Sequence, residues 1–233
     1  WPFRARLELR DAGLRAPSGH MLAAPRFLAE ASAWAPFTWV GFAPDGLVLE
    51  RPGKGRVRLT GQALRFSASR IDQPFPDLRL QLHEPVFAAE AGAEAFPLAS
   101  AGLIHIQARP HAATGQDDQM DLLFRLIDAR ARSGGPVEAA ARRGAFSFEA
   151  EAVATRVSAL AKADADGLLA GWGRAGGGLN AVRGRVTAGD RRADFSMRAL
   201  SADPDGRLRG AVSLDAVGAV EALAALTGDA PMR

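Results

Sequence analysis

The residues best suited to chemistry in this chain are a glycine-rich hexad, two aspartate pairs and a scatter of histidines. Gly171-Trp172-Gly173-Arg174-Ala175-Gly176 fits G-x-G-x-x-G, whose glycines let a backbone approach a pyrophosphate. A dinucleotide site needs that hexad between a strand and a helix. Here it follows an Ala- and Leu-rich stretch that favours helix and precedes a β-patterned one, so it reads as a helix stop. Asp164-Ala165-Asp166-Gly167 and Asp203-Pro204-Asp205-Gly206 each set two carboxylates beside a glycine. A calcium loop needs more oxygen ligands at fixed spacing and a closing Glu. Neither stretch supplies them, and a helix interruption and a β-turn account for the two. His20, His83, His105 and His111 form no H-x-x-x-H or H-E-x-x-H, and no G-x-S-x-G elbow surrounds a serine. The chain has no Cys, which excludes thiolate nucleophiles, zinc–thiolate sites and disulfides. The expectation is a non-enzymatic protein with no metal and no cofactor.

The aromatic residues point elsewhere. Trp34, Phe37, Trp39, Phe42, Phe66 and Phe75 crowd one third of the chain. Two readings fit. One is plain core packing. The other is an apolar groove left open for an acyl chain, lined by Trp39, Phe42, Phe66, Leu80, Phe195 and Val212. Small residues on the greasy strand faces (Ala5, Ala68, Ala199, Gly210) leave volume for helices, the opposite half of the sheet, or a ligand.

The formal charge is +3, and the cations are arginines except Lys54 and Lys162. They are scattered along strands without forming blocks, and Tyr is absent, which argues against nucleic acid. The simplest reading is a solvated sheet face whose long stems cover their neighbours. The functional alternative is a docking surface for a protein partner or anionic headgroups, including Arg56, Arg58, Arg65 and Arg79.

The elements that must position these residues are mostly strands. Ala5, Leu7 and Leu9 alternate with Arg4, Arg6, Glu8 and Arg10. Leu64, Phe66 and Ala68 alternate with Arg65, Ser67 and Ser69, and Leu78, Leu80 and Leu82 with Arg79, Gln81 and His83. Period-2 alternation is what a sheet with one buried face requires. Met21 to Ala33, Phe37 to Phe42, Val86 to Glu90, Met120 to Ala131 and Phe146 to Thr155 extend the pattern. Near the end, Ala193 to Ala199 and Leu208 to Leu214 read as a hairpin bent at Asp203–Gly206, followed by a helix over Ala219 to Leu226. Val137 to Arg143 and Leu160 to Gly171 also favour helix. Up to Pro85, turn signals recur at the spacing of a meandering antiparallel sheet. The best internal seam is Ser133-Gly134-Gly135-Pro136.

Three stretches together carry a family resemblance. Trp1-Pro2-Phe3-Arg4-Ala5-Arg6-Leu7-Glu8-Leu9-Arg10-Asp11 resembles the opening strand of an alphaproteobacterial family known as domain of unknown function 2125. Ala24 to Ala31 followed by Trp34 is similar to that family's next strand, and Gly176–Leu179 with Leu214-Asp215 to its closing repeat. The chain departs from the family over 136–144. The resemblance implies a periplasmic body behind one N-terminal inner-membrane helix, and hence an anchor or signal removed ahead of Trp1. A weaker, architectural resemblance is to AsmA/TamB-like envelope proteins, which hold lipid chains in grooved sheets.

The expected fold is mainly β (α+β): a long curved antiparallel sheet or half-barrel over 1–233, with two or three short helices on its concave face. The expected function is binding of a lipid or other apolar ligand in the cell envelope. The alternative is an envelope scaffold that docks partners through its arginine face.

Overall fold

The computed structural model describes residues 3–16, 18–112, 118–132, 138, 144–160, 168–189, 191–203 and 207–216. The strands are β1 (Arg4–Arg15), β2 (Met21–Ser32), β3 (Ala35–Phe42), β4 (Leu47–Arg51), β5 (Gly55–Thr60), β6 (Ala63–Ser69), β7 (Asp77–His83) and β8 (Val86–Ala89). They continue as β9 (Leu98–Ser100), β10 (Leu103–Pro110), β11 (Gln119–Ala131), β12 (Phe146–Thr155), β13 (Gly178–Ala188), β14 (Arg191–Ala202), β15 (Leu208–Arg209) and β16 (Ser213–Ala216). All belong to one curved antiparallel sheet of 16 strands. The described helices are short: α1 (Val157–Leu160) and α2 (Leu168–Arg174). The fold class is therefore the one that the alternation implies.

The pairings form a closed circuit, because β2 is joined to β11 by two routes, β3-β6-β7-β10 and β4-β5-β8-β9. Register explains why. β3 and β4 lie end to end along β2, and β9 and β10 lie end to end along β11. The two routes are thus the two halves of one meander of longer strands, each interrupted near its middle. The interruptions fall side by side. Asp11 of β1 lies opposite Pro25 of β2. Next come Ala43–Gly46, Gly61–Gln62, Glu84–Pro85, Ala101–Gly102 and Asp128. Backbone bonds lace this line: Gln62 N to His83 O at 3.0 Å, Glu84 N to Gly102 O at 2.9 Å, and Gly102 N to Ile127 O at 2.9 Å. Asp11, Glu84 and Asp128 adopt φ of 50°, 48° and 50°, a left-handed conformation that turns the chain sharply. The line is a crease across the sheet.

The crease makes the main core. Leu64, Leu82, Ile104 and Leu126 on one side of it join Leu59 and Ala129 on the other, with Ala24, Ala43 and Ala101 on the line itself. Leu59 and Leu64 are an odd number of residues apart, so a straight strand would point them to opposite faces. The break at Gly61–Gln62 turns both inward, as at the corner of two layers packed on each other. Each buried leucine contributes about 1.5–3 kcal/mol.

A second, smaller core gathers Ala154, Val157 and Trp172 with Phe75, Met120, Leu122 and Leu179. Here α1 and α2 close the end of β11–β13 away from the crease. The Trp172 indole N–H donates to Thr155 O at 2.7 Å. The Ser158 backbone N–H donates to Asp118 Oδ1 at 2.7 Å, capping α1. The helix expected over Leu160 to Gly171 lies at Leu168–Arg174 where described; 161–167, the Val137–Arg143 helix apart from Glu138, and the C-terminal helix lie outside the described residues. β11 and β12 pair directly across the Ser133–Pro136 seam, which itself lies outside the described residues.

One expectation needs correcting. The strand read as continuous from Leu208 to Leu214 is two, β15 and β16, separated at Gly210–Val212. Both pair with β14, but in registers that differ by one residue. The extra residue makes a bulge-like break.

Candidate functional site

Successive strands place one residue each in a row across the sheet. From β1 to β16 the paired residues are Leu7, Ala29, Gly41, Phe66, Leu80, Ile106, Phe124, Ala150, Gly184, Phe195 and Leu214. Directly paired residues of an antiparallel sheet point to the same face. The row is apolar from one edge to the other. A flanking row toward the crease holds Leu64, Leu82, Ile104 and Leu126, all buried. A row on the far side holds Ala31, Trp39, Ala68, Leu78, Ala108, Leu122 and Ala152.

Burial changes abruptly between rows. Leu82 beside the crease is 5% exposed, whereas Phe66 and Ile106 in the next row are 37% and 41% exposed. Leu80 between them and Phe124 beyond Ile106 are partly buried against the main core. Leu7 and Leu9 at the β1 edge are 44% and 40% exposed. The folded-over half of the sheet thus covers the row beside the crease and leaves Phe66 and Ile106 of the next row open, while Ala29 and Gly41 in that row are buried. Scattered exposed leucines are ordinary, but a continuous apolar strip on one face marks an interaction surface.

Of the residues expected to line a groove, Trp39, Phe66, Leu80 and Phe195 lie on this face. Trp39 is half-buried; its indole N–H donates to Pro36 O at 3.1 Å, and its ring lines a depression of about 320 Å³ with Phe3, Ala5, Ala31 and Pro36. Phe195 stacks on Phe148 at 5.7 Å between centroids. Phe42 lies on the opposite face, where Arg65 sits 5.9 Å from its ring centroid. Val212 is 57% exposed in the break between β15 and β16, away from the others. Leu7, Leu78, Ile106 and Phe124 belong to the same face and were not singled out from the sequence. Alternation with His105 and Gln107 carries the signal for Ile106.

The opposite face is polar. Arg125 pairs with Glu149 at 3.1 Å, Arg183 with Glu151 at 2.8 Å, and Arg185 with Asp194 at 2.7 Å. The hydrogen bond from Arg185 holds the Asp194 carboxyl below its ordinary range. Arg65 and Arg79 lie on this face, beside β10's His105, with no carboxylate partner among the described residues. Burial of the His105 ring, then the Arg79 and Arg125 charges and His83, pushes its pKa down. Arg56 and Arg58 sit across the crease on β5, where both share Glu90 at 3.6 and 3.5 Å. The four arginines therefore form two groups.

The chemistry-bearing motifs take structural roles where they are described. The glycine hexad ends α2, with Gly176 at φ 74° and Gly177 N bonded to Trp172 O at 2.8 Å, and β13 starts at Gly178. Asp203 accepts from Arg207 N at 2.8 Å and from Arg209 Nε at 2.9 Å; Pro204–Gly206 and Asp164–Gly167 lie outside the described residues. His111 meets Asp121 at 2.6 Å, and Arg109 shares that carboxylate. No cluster of three or more His, Asp or Glu fit to hold a metal occurs among the described residues.

The fold defines a one-sheet β protein with an open apolar face and a charged back. The family model described as "Uncharacterized protein conserved in bacteria (DUF2125)" matches residues 1–233, and the chain belongs to that family. No curated protein and no solved structure matches it, and the likeness to AsmA/TamB-like proteins is not brought out.

Proposed function

We infer that this is a non-enzymatic binding protein of the cell envelope that holds a lipid acyl chain, or a similarly apolar ligand, on the open face of its sheet. One observation carries the reading: an unbroken apolar row whose middle members, Phe66 and Ile106, are left uncovered beside a fully buried row. Strands lie about 4.8 Å apart, so Phe66 to Phe124 spans roughly 14 Å. Half of a bilayer's hydrocarbon core is about 15 Å, so one acyl chain matches that stretch. Trp39 and Phe195 lie on the same face farther along the sheet. The family resemblance supports a periplasmic location behind an inner-membrane anchor, with partners among lipids and envelope proteins and none among nucleic acids.

The test is organic extraction and native mass spectrometry of protein purified from its host without detergent. A co-purifying lipid at fixed stoichiometry is the expected result. A bare mass, together with no uptake of fluorescent fatty acids or phospholipids, would sink the reading. A second reading, docking of anionic headgroups or a protein partner on the back of the sheet, is favoured by Arg65 and Arg79, which have no carboxylate partner among the described residues. It predicts binding that weakens steeply with salt.

A further inference from the structure

β1 forms one border of the sheet: it pairs with β2 along its whole length and with no other described strand. Nearly all of its residues are exposed. A long edge strand is a template for another strand, and proteins ordinarily blunt such edges with proline, bulges, charged side chains or short length. Over Arg4–Arg10 only charge guards the edge, and mostly of one sign, so it repels basic strands and not acidic ones; Pro2 precedes the strand and the Asp11 kink follows.

The backbone phase can be assigned. Ala33 N donates to Phe3 O at 2.8 Å, so Phe3 and Ala33 are a hydrogen-bonded pair. Such pairs alternate along an antiparallel ladder. Ala5, Leu7 and Leu9 therefore spend their amides on Ala31, Ala29 and Phe27, and the amides of Arg4, Arg6, Glu8 and Arg10 point away from the sheet.

We propose that this edge accepts an extended segment of a protein partner as an additional strand, and that the segment alternates acidic with apolar residues. The side chains specify that chemistry. On the polar side the edge offers Arg4, Arg6 and Arg10 against the single Glu8. Arg4 and Arg6 both lean on one carboxylate, Glu30, at 3.4 and 3.8 Å. Acids directly opposite these arginines complete the pairs. On the apolar side Leu7 and Leu9 end the greasy rows with their flanks exposed, and the incoming strand's apolar residues extend those rows. A second copy of β1 fits less well than an acidic strand. Antiparallel overlap of Arg4–Arg10 with itself sets Arg6 against Glu8 but also Arg4 against Arg10, and slipping by two residues sets Arg6 against Arg6 one way and Arg6 against Arg10 the other, whereas an acidic strand opposes all three arginines.

The experiment titrates the full chain with the peptide Glu-Val-Thr-Val-Glu-Val-Glu, which in antiparallel register puts Glu opposite Arg10, Arg6 and Arg4 and Thr opposite Glu8. The control carries Lys in place of Glu. NMR at millimolar peptide is expected to show the acidic peptide binding at least tenfold tighter, with shifts centred on the amides of Arg4, Arg6, Glu8 and Arg10. Arg6→Pro removes only an outward N–H, a substitution edges tolerate, and should weaken binding at least tenfold with the melting temperature little changed. Arg6→Glu, which leaves the backbone intact, should narrow or reverse the preference between the peptides. Equal affinity for both, absence of binding by both, shifts centred elsewhere, or an Arg6-dependent homodimer in sedimentation would each overturn the proposal.

Discussion

Phe195 on β14 stands directly opposite Gly184 on β13, and its ring fills the space that a Cβ at 184 would need. The same site abuts the Glu149 carbonyl. The glycine is what lets the apolar row continue as a smooth strip through the aromatic pair Phe148–Phe195. Gly184→Ala should cost about 1–3 kcal/mol by overpacking. The double variant with Phe195→Ala should lose less than the sum of the singles, because the ring no longer competes for the space. Chemical denaturation of the four proteins checks this.

Phe66 and Leu82 are both apolar residues on the same face, yet they should respond differently. Phe66→Asp places a carboxylate where a third of the residue is already in water, so ligand retention should fall sharply with stability nearly kept. Leu82→Ala removes packing from the main core and should cost about 2–5 kcal/mol. Paired lipid-uptake and thermal-melt measurements separate the two. Equal loss of folding in both variants would make Phe66 a plain core residue.

His105 makes stability depend on pH. Its folded pKa is lowered, so between that value and the ordinary pKa of about 6.5 the unfolded chain binds more protons than the folded one. Its contribution is complete above about pH 6.5 and is lost as pH falls toward the folded value. His105→Gln should flatten that part of the stability–pH curve. An unchanged slope would show that neither burial of the ring nor the Arg79 and Arg125 charges hold its pKa down.

Arg51 is a buried cation held by carbonyls. It donates to the carbonyl oxygens of Lys54 and Glu94, and lies 5.8 Å from the Phe96 centroid, which in turn stacks on Phe87 at 4.6 Å. Arg51→Met keeps the stem and strands the two carbonyls. A loss of about 1–3 kcal/mol is expected, with faster hydrogen exchange at Glu90–Glu94 as its local signature.

At the crease, Asp128 sits at φ 50° with its N–H bonded to Ser147 Oγ at 3.0 Å. Asp128→Gly should be neutral or mildly stabilising, because glycine enters that conformation freely. Asp128→Ile should cost about 1–2 kcal/mol, since β-carbon crowding opposes it. Melting temperatures of the two variants decide whether the left-handed turn is a requirement of the fold.

The strands were legible in the sequence because each needs only its own alternation. Phe146–Thr155 is observed with the bounds that its pattern implies. The end of α2 was legible for a similar reason, since a run of glycine is a local stop. The crease was not legible. Glu84-Pro85, Ala101-Gly102 and Asp128 are ordinary turn residues taken singly, and their alignment exists only in the register of several strands at once. Face assignment fell between these cases. Trp39 and Phe42 are three residues apart, so one regular strand cannot present both to the same side, and the period-2 rule already separates them. Val212 was misplaced by a one-residue slip that no alternation reveals.

Among the described residues, every long strand of this sheet, counting the two halves on either side of the crease as one, pairs with its neighbours in the chain. Such a molecule is nearly one-dimensional in its energetics, like an array of repeats. Its stability is a sum of hairpin terms and the contacts between adjacent hairpins, and its folding need close only short loops before each new strand is rewarded. Lengthening or shortening the chain by one hairpin away from the two helices would change the extent of the apolar row by about two strand widths and leave its neighbours' registers intact. The length of the apolar row in this architecture is therefore set by strand number, a quantity that insertion or deletion alters in single steps, and under the proposed function so is the size of the ligand.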